Sequence, residues 1–432
     1  MEIGDWRLKS EDSQSPISNL PISKGFCMAQ GNFLTAKEAA AMLEISLPTL
    51  YAYVSRGLIR SEPGTGKSRA RRYRRADVEA LLARKALRQN PAQAAENALH
   101  FGAPVLTSAV TLIEDGRFFY RGYEVTKLAQ TTSFEAVASL LWRDSLATDD
   151  LFPPQLPPGL QQRMIAMQPI LQPLPLFERF QVALPLLAGH DLAAYDLAAT
   201  AVAQAGVRLL HLLSWAVTGE RPHANIAATL QQAWAPQIPT LQNLFNTALI
   251  LCADHELNAS AFAARVVASA QANPYAVVQA GLAALQGARH GGHTERVVTL
   301  LREAGSEAGV RPAVAARLRR GEQIPGFGHL LYPNGDLRAR LLLDLVAREF
   351  EGETAVSTVQ ALIQVMAEAT GQLPTIDLGL AALAVAAELP EGVPLALFAL
   401  GRTAGWLGQA IEQYQEDQLI RPRARYVGKR PV

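Results

Sequence analysis

The sequence predicts a mainly α-helical protein in which a small basic module stands ahead of a long helical body. Three observations carry that reading. Beyond residue 124, apolar residues recur at helical spacing, punctuated by Pro and Gly rather than by strand-like alternation. Cations concentrate in one stretch near the N-terminus. Hydrophobic residues make up 49% and charged residues 18% of the 432, the balance of a packed chain and not of a disordered one.

Residues 1–31 carry Ser, Pro and Gly without periodicity and are expected to be a flexible leader. Residues 32–86 form the basic module. From Phe33 to Lys85 there are eleven Lys/Arg against five Asp/Glu, a local charge of +6. Thr35-Ala-Lys-Glu38 is a capping-box pattern, and Leu34, Ala39 and Leu43 supply an apolar stripe. Ser46 caps a second helix, Pro48 is tolerated in its first turn, and Gly57 suits its left-handed stop near Arg56. Two helices joined by so short a turn predict a helix-turn-helix, whose second helix can lie in a DNA major groove. Arg69-Ala-Arg-Arg-Tyr-Arg-Arg75 sets cations around Tyr73 as a wing strand beside phosphates would, and Asp77–Lys85 reads as a further helix. Leu34-Thr-Ala-Lys-Glu-Ala-Ala, Thr49-Leu-Tyr-Ala-Tyr, Gly57-Leu-Ile and Arg72-Tyr together resemble the MerR-type and excisionase-type winged helix-turn-helix family. Thr49, Tyr51, Arg56, Arg69, Arg71 and Arg72 are the candidate DNA contacts; the competing reading is a helical cap with a solvated basic face.

A polar linker, 87–100, precedes the body. Val105–Tyr123 alternates around Glu114-Asp115-Gly116, the pattern of a hairpin. Helical faces follow at Phe134–Leu141, Asn243–Cys252, Ala261–Ala270, Tyr275–Leu285, Arg296–Ala304, Leu337–Phe350, Val356–Thr370, Leu378–Leu389 and Leu395–Gln413, with a Pro-dense connector expected at Leu151–Pro175. At roughly 150 residues per domain, the length suggests two or three domains.

Forty Lys+Arg against thirty-nine Asp+Glu leave a net charge of +1, so the whole chain makes no electrostatic case for nucleic acid or membrane. The two cysteines, Cys27 and Cys252, cannot build a disulfide framework, which fits a reducing, cytoplasmic setting. Met1–Ser18 has no apolar core of a signal peptide. The Ala/Leu-rich run from Leu184 to Val217 is broken by His190, Asp191, Asp196, Arg208 and His211, and reads as buried helix rather than a membrane span.

Three histidines stand in settings that packing alone explains poorly: Asp254-His255-Glu256 after an apolar helix, His290 beside Gly291-Gly292 before a helix that Thr294 would cap, and His329 at the end of Pro325-Gly-Phe-Gly. Glycines there let backbone approach a ligand. A metal site built from His290, His293 and Glu295 is the weaker alternative, lacking a further clear ligand, and no metal is assigned.

Gly122-Tyr123, Asp254-His-Glu-Leu-Asn-Ala-Ser260, Gly287-Ala-Arg-His-Gly-Gly292, Ile324-Pro-Gly-Phe-Gly-His329, Asp336-Leu-Arg338, Asp377, Leu400-Gly-Arg-Thr-Ala-Gly-Trp406 and Leu419-Ile-Arg-Pro-Arg423 resemble, in order, the signatures of the citrate synthase family over about residues 101–428. The resemblance implies a citrate-synthase-like large helical domain (101–290 with 378–432) and a small one (291–377), closing over substrates in a homodimer, behind the winged helix-turn-helix domain. It implies condensation of acetyl-CoA with oxaloacetate and hydrolysis of the citryl thioester, acetyl-CoA being a substrate and no cofactor being required. By similarity Asp377 is the base, His290 the hydrogen-bond donor to the thioester oxygen, and His329 the group polarising the ketone. His255, Arg338 and Arg402 would hold oxaloacetate, with Arg421 supplied across the dimer, and Ile324, Gly326, Phe327 and Gly328 would lie along CoA.

The chain departs from the family pattern in several places. Leu330-Leu-Tyr-Pro333 stands where Arg or Lys often occurs, leaving Arg317, Arg319 or Arg320 as replacement phosphate contacts. Leu337 replaces a Pro, Leu378-Gly379 replaces an aromatic pair, and His293-Thr294 stands where Asn or a similar residue is usual. Two rival functions follow: a DNA-binding regulator whose synthase-like body senses a metabolite, and a 2-methylcitrate synthase using propionyl-CoA.

Overall fold

The computed structural model describes residues 33–64, 71–89, 105–114, 116–148, 151–152, 156–223 and 225–431. The expected leader, Arg69, Asp115 and residues 90–100 of the expected linker lie outside them. The chain divides into two compact units, one through Val105 and one from Leu106.

In the first unit the capping box forms as expected. Thr35 Oγ1 accepts from Glu38 N–H (3.3 Å), Glu38 Oε2 accepts from Thr35 N–H (2.8 Å), and the helix Ala36–Leu43 follows. Glu44 turns the chain with φ 54°, Ser46 caps Leu47–Ser55, and Gly57 takes φ 72°. Arg71–Arg74 is the central strand of a three-stranded antiparallel sheet, between Phe33–Leu34 and Ser61–Pro63. Tyr73 is buried, Arg71 on the same face is exposed at the start of the strand, and Arg72 and Arg74 on the other face are half-buried. Leu34, Ala39, Leu43, Leu50, Ile59, Tyr73 and Val78 make a small core of their own.

The second unit is helical behind a small antiparallel sheet, Thr111–Glu114, Arg117–Tyr120 and Tyr123–Glu124. The alternation expected from Val105 thus becomes strand only from Thr111. Helix starts carry their own signals: Ser133 accepts from Ala136 N–H, Asn258 from Ser260 and Ala261 N–H, and Asn273 from Ala276 N–H ahead of Pro274. The segment Leu151–Pro175 corrects the expected connector, because Pro158–Leu171 is a helix. Pro158 sits at its start, where no amide hydrogen is needed, and Pro169 costs it one hydrogen bond near its end. Glu307–Arg319, with Pro312 inside, is likewise a helix that apolar periodicity did not announce.

The 24-residue helix Val393–Glu416 is the axis of the core, with Ala199–Thr218, Leu241–Cys252, Ala259–Ser269 and Pro274–Leu285 packed around it. Gly281 makes the last contact possible, since a Cβ there would fall 2.4 Å from the Trp406 ring. Fully buried Arg265 ties two of these helices together through Gln413 Oε1 (3.0 Å), Gln409 Oε1 (3.3 Å) and Glu416 Oε2 (3.1 Å). No described helix is long and apolar enough to cross a membrane. The run Leu184–Val217 divides between the helices Leu176–Ala188 and Ala199–Thr218, as its charges require.

His211, on Ala199–Thr218, is 4% exposed, and neither ring nitrogen has a hydrogen-bond partner among the described residues. Burial holds its pKa down to about 4. The unfolded chain takes up that proton near pH 6.5, so the neutral ring's contribution is complete above 6.5 and drains away as pH falls toward 4. The loss reaches roughly 3 kcal/mol at about 1.4 kcal/mol per pH unit. His211→Leu should therefore weaken the fall in melting temperature between about pH 7 and pH 5. An unchanged slope would count against this origin.

Candidate active site

The site forms where loops preceding four helices meet the axial helix. His290 lies in the turn before His293–Ala304, which is capped at Gly292 and not by Thr294. The helix begins earlier than expected, so the Thr294 hydroxyl is turned elsewhere and donates to Asp377 Oδ1 (2.6 Å). His290 Nε2 is 2.8 Å from Ser260 Oγ, itself held by Trp406 Nε1–H (3.1 Å). Ser260 has one hydroxyl proton and two acceptors in reach, Asn258 Oδ1 (2.7 Å) and His290 Nε2. Given to Asn258 Oδ1, it leaves Ser260 Oγ to accept from His290 Nε2–H; turned to His290 instead, it leaves the ring proton on Nδ1, the nitrogen with no partner among the described residues. Burial, with Arg402 nearby, lowers the His290 pKa to about 3, so the imidazole is neutral.

His329 accepts from Leu331 N–H through Nδ1 (3.2 Å), which places its proton on Nε2. Its ring lies 5.3 Å from that of His255 and 4.9 Å from that of Tyr332. His255 Nε2 is bonded to Tyr332 Oη (2.8 Å), whose pKa burial pushes up to about 12. Burial first, then cationic arginines, lowers His255 and His329 as well. All three histidines are thus held neutral.

Two arginines give the cluster its charge, and they differ. Arg338 is clasped by Asp336 through Nε (2.9 Å) and Nη2 (2.8 Å), and its guanidinium lies over Tyr332 (5.2 Å) and Phe118 (5.6 Å). Burial opposes its charge, and Asp336 more than restores it. Arg402 is 1% exposed and donates only Nε, to Cys252 O (2.7 Å), while its guanidinium lies over Phe398 (4.9 Å). Among the described residues its two terminal nitrogens have no hydrogen-bond partner, leaving a forked donor for an anion. The same Phe398 ring meets the edge of His290 at 6.0 Å.

Asp377 stands in the first turn of Ile376–Ala386 and takes hydroxyls on both oxygens, Thr294 on Oδ1 and Thr375 on Oδ2 (3.1 Å). The adjacent Ile376 N–H donates to Asp336 Oδ2 (3.1 Å), joining Asp377 to the Arg338 side of the cluster. Ile324–Gly328 borders it: Gly328 N–H donates to Leu373 O (2.9 Å), and Gly326 O accepts from Thr375 N–H (2.9 Å).

The contacts form two groups, His290 with Arg402 and His255 with His329, Arg338 and Asp377, and Asn258 joins them by donating to His255 O (3.1 Å) while its Oδ1 lies 2.7 Å from Ser260 Oγ. Arg421 is not among them; it is exposed in the extended segment after Asp417. Arg317 and Arg320, the replacement phosphate contacts, are paired with Glu303 and Glu322. His293 and His290 bind different partners, Gly326 N–H and Ser260, and no group of three or more metal-ligating side chains occurs among the described residues. A cavity of about 630 Å³ lies at the other end of Leu337–Glu349, lined by Gln130, Asn243, Arg348 and Glu349. Most of its hydroxyls and amides are already bonded to protein, and it holds none of these groups.

Ser260, Tyr332, Asp336, Thr375 and Phe398 are parts of the site that sequence reasoning left without a role. Ser260 and Asp336 lay inside motifs already singled out, and Tyr332 inside the departing stretch Leu330-Leu-Tyr-Pro333.

Residues 100–423 match the family model described as citrate synthase, C-terminal domain. The chain belongs to the citrate synthase family. It is 30% identical over 367 residues to citrate synthase 2 of Bacillus subtilis, covering 76% of this chain and 94% of that one. It is 32% identical over 355 residues to 2-methylcitrate synthase of Mycobacterium tuberculosis, covering 76% and 89%. The solved citrate synthase of Thermotoga maritima superposes with a TM-score of 0.63 at 27% identity, over 77% of this chain and 95% of that one. A ternary complex of the Thermoplasma acidophilum citrate synthase shares the fold, with a TM-score of 0.67 at 23% identity, over 78% and 97%. Residues 33–86 match a helix-turn-helix domain model. The chain is thus a transferase of the citrate synthase family with an N-terminal helix-turn-helix domain.

Proposed function

We propose that this chain condenses acetyl-CoA with oxaloacetate and hydrolyses the resulting thioester, releasing citrate and CoA. The observation that carries the reading is a set of three neutral imidazoles beside two buried arginines and one hydroxyl-clamped carboxylate. A thioester methyl group is a poor carbon acid, so a base must act together with a group stabilising the enolate oxygen. Asp377 takes the proton while His290, with the Ser260 hydroxyl turned to it, donates from Nδ1–H to the thioester oxygen. A neutral donor stabilises developing charge without needing to surrender its proton. His329 Nε2–H polarises the keto carbonyl, the enolate carbon attacks it, and water then cleaves the thioester. Arg402 offers its free fork to one carboxylate, and Arg338, held in place by Asp336, faces the other beside His255. Arg421 from a partner subunit would complete the diacid site in a homodimer.

Release of free CoA thiol from acetyl-CoA only when oxaloacetate is added tests this reading. Preferential turnover of propionyl-CoA would move the assignment to 2-methylcitrate synthesis, which the similarity to mycobacterial 2-methylcitrate synthase makes the natural comparison. No product with any 2-oxo acid would leave the metabolite-sensing regulator.

The N-terminal unit is proposed to bind DNA. Tyr51, Arg56 and Arg71 are exposed, Thr49 is half-buried with its hydroxyl on Ser46 Oγ (2.9 Å), and Arg72 lies over the Phe33 ring at 4.8 Å. Exposed cations on the wing would meet phosphates. Arg71→Ala should weaken binding to a DNA fragment evenly across sequences and reduce the log–log salt slope by about one. An unaltered slope would remove Arg71 from the interface.

A further inference from the structure

We infer that His293 and Thr294, the two residues that set this chain apart from the family pattern after His290, are positioning residues for Asp377; the inference rests on the proposed role of Asp377 as base. The hydrogen bonds close a ring. Thr294 Oγ1 donates to Asp377 Oδ1 (2.6 Å), and Thr375 Oγ1 donates to Asp377 Oδ2 (3.1 Å). Thr375 N–H donates to Gly326 O (2.9 Å), and Gly326 N–H donates to His293 Nε2 (3.2 Å). His293 and Thr294 are adjacent at the start of His293–Ala304, so the ring returns to where it began.

Each link has a chemical reason. Thr294 is fully buried, and Asp377 Oδ1 is the acceptor its hydroxyl proton finds. A carboxylate offers about four lone-pair directions. The two threonines occupy one on each oxygen, which fixes the rotation of the group and leaves a lone pair on each for a substrate proton. His293 accepts through Nε2, so its ring is the neutral tautomer with the proton on Nδ1. It thereby ties Ile324–Gly328, the expected CoA-bordering loop, to the helix start that aims Thr294. Gly326 makes the tie with φ 88°, in a place where a Cβ would press on Val297 at 3.1 Å. Thr294 sets the base, and His293 couples it to the loop.

The test uses the full chain and three variants, Thr294→Val, Thr294→Ser and His293→Ala. Thr294→Val removes the hydroxyl at nearly constant shape. It should lower kcat about tenfold or more while leaving both KM values within about threefold, since the base and not ground-state binding is disturbed. The kinetic isotope effect with methyl-deuterated acetyl-CoA should rise as proton removal becomes slower. Thr294→Ser should restore most of kcat. His293→Ala should lower kcat and also raise the KM for acetyl-CoA. A readout independent of turnover is the carboxyl ¹³C resonance of Asp377, assigned by its loss in Asp377→Asn, which should move in Thr294→Val and return in Thr294→Ser. A Thr294→Val enzyme within twofold of wild-type kcat, or a loss of kcat with an unmoved resonance, overturns the inference. A wild-type chain that turns over no acyl-CoA overturns the assigned reaction instead, and the resonance still decides whether Thr294 positions the carboxylate.

Discussion

Asp377→Asn should lower turnover about a thousandfold while leaving the KM for oxaloacetate nearly unchanged. General-base removal costs about 10²–10⁴ in rate, and the amide that replaces the carboxylate has no basic lone pair for a C–H proton. The variant should fold. Asn is the same size, its carbonyl oxygen still accepts from Thr294 Oγ1, and Ile376 N–H still reaches Asp336. Its main structural cost is the charge in the first turn of Ile376–Ala386, worth about 0.3–1 kcal/mol. A melting curve close to wild type beside a collapsed kcat separates chemistry from stability. Retention of more than about a tenth of wild-type turnover would show that the proton goes elsewhere.

The same residues show what a sequence reveals of such a site and what it conceals. His290 and His329 were legible because glycines flank them, and imidazole beside flexible backbone is a costly arrangement for packing alone. Arg402 was reached by another route, through the resemblance of Leu400-Gly-Arg-Thr-Ala-Gly-Trp406 to a family signature. Thr294 was noticed and misassigned. Its capping role depended on where the helix starts, and a start two residues earlier turned the hydroxyl from a cap into a donor to Asp377. Ser260 and Thr375 act through single hydroxyls, which look in sequence like any other serine or threonine. Asp336 sits two residues from Arg338, yet nothing in that spacing says that the pair will be buried and doubly bonded.

The fold divides along similar lines. Amphipathic helices with polar caps were visible to within a few residues, because burial of one face leaves a period in the sequence. Pro158–Leu171 and Glu307–Arg319 were missed for physical reasons: internal proline reads locally as a break, and few of their residues are buried. Packing against neighbours supplied what local preference withheld. Arg421, proposed to act across a homodimer, is exposed in the single chain.

Arg402→Leu should raise the KM for oxaloacetate about a hundredfold or more and leave the KM for acetyl-CoA within about threefold. The asymmetry follows from what each arginine already holds. Asp336 takes two donors of Arg338, so that guanidinium is both neutralised and fixed before any substrate arrives. Arg402 gives one bond to a backbone carbonyl and keeps its fork free, so it has the larger unspent capacity for a carboxylate. Losing a charged hydrogen-bonded partner from a buried pair costs about 2–5 kcal/mol, and about 1.4 kcal/mol is tenfold in affinity. The substitution also acts on buried Asp254, whose pKa burial raises and Arg402 draws back down. Without the arginine Asp254 is free to hold a proton, so the interior sheds both charges together instead of stranding one, and the fold tolerates the change. Arg402→Lys keeps the charge without the fork and should recover only part of the affinity. If the KM for acetyl-CoA rises instead, the fork of Arg402 faces the thioester and the two substrates exchange places in the site.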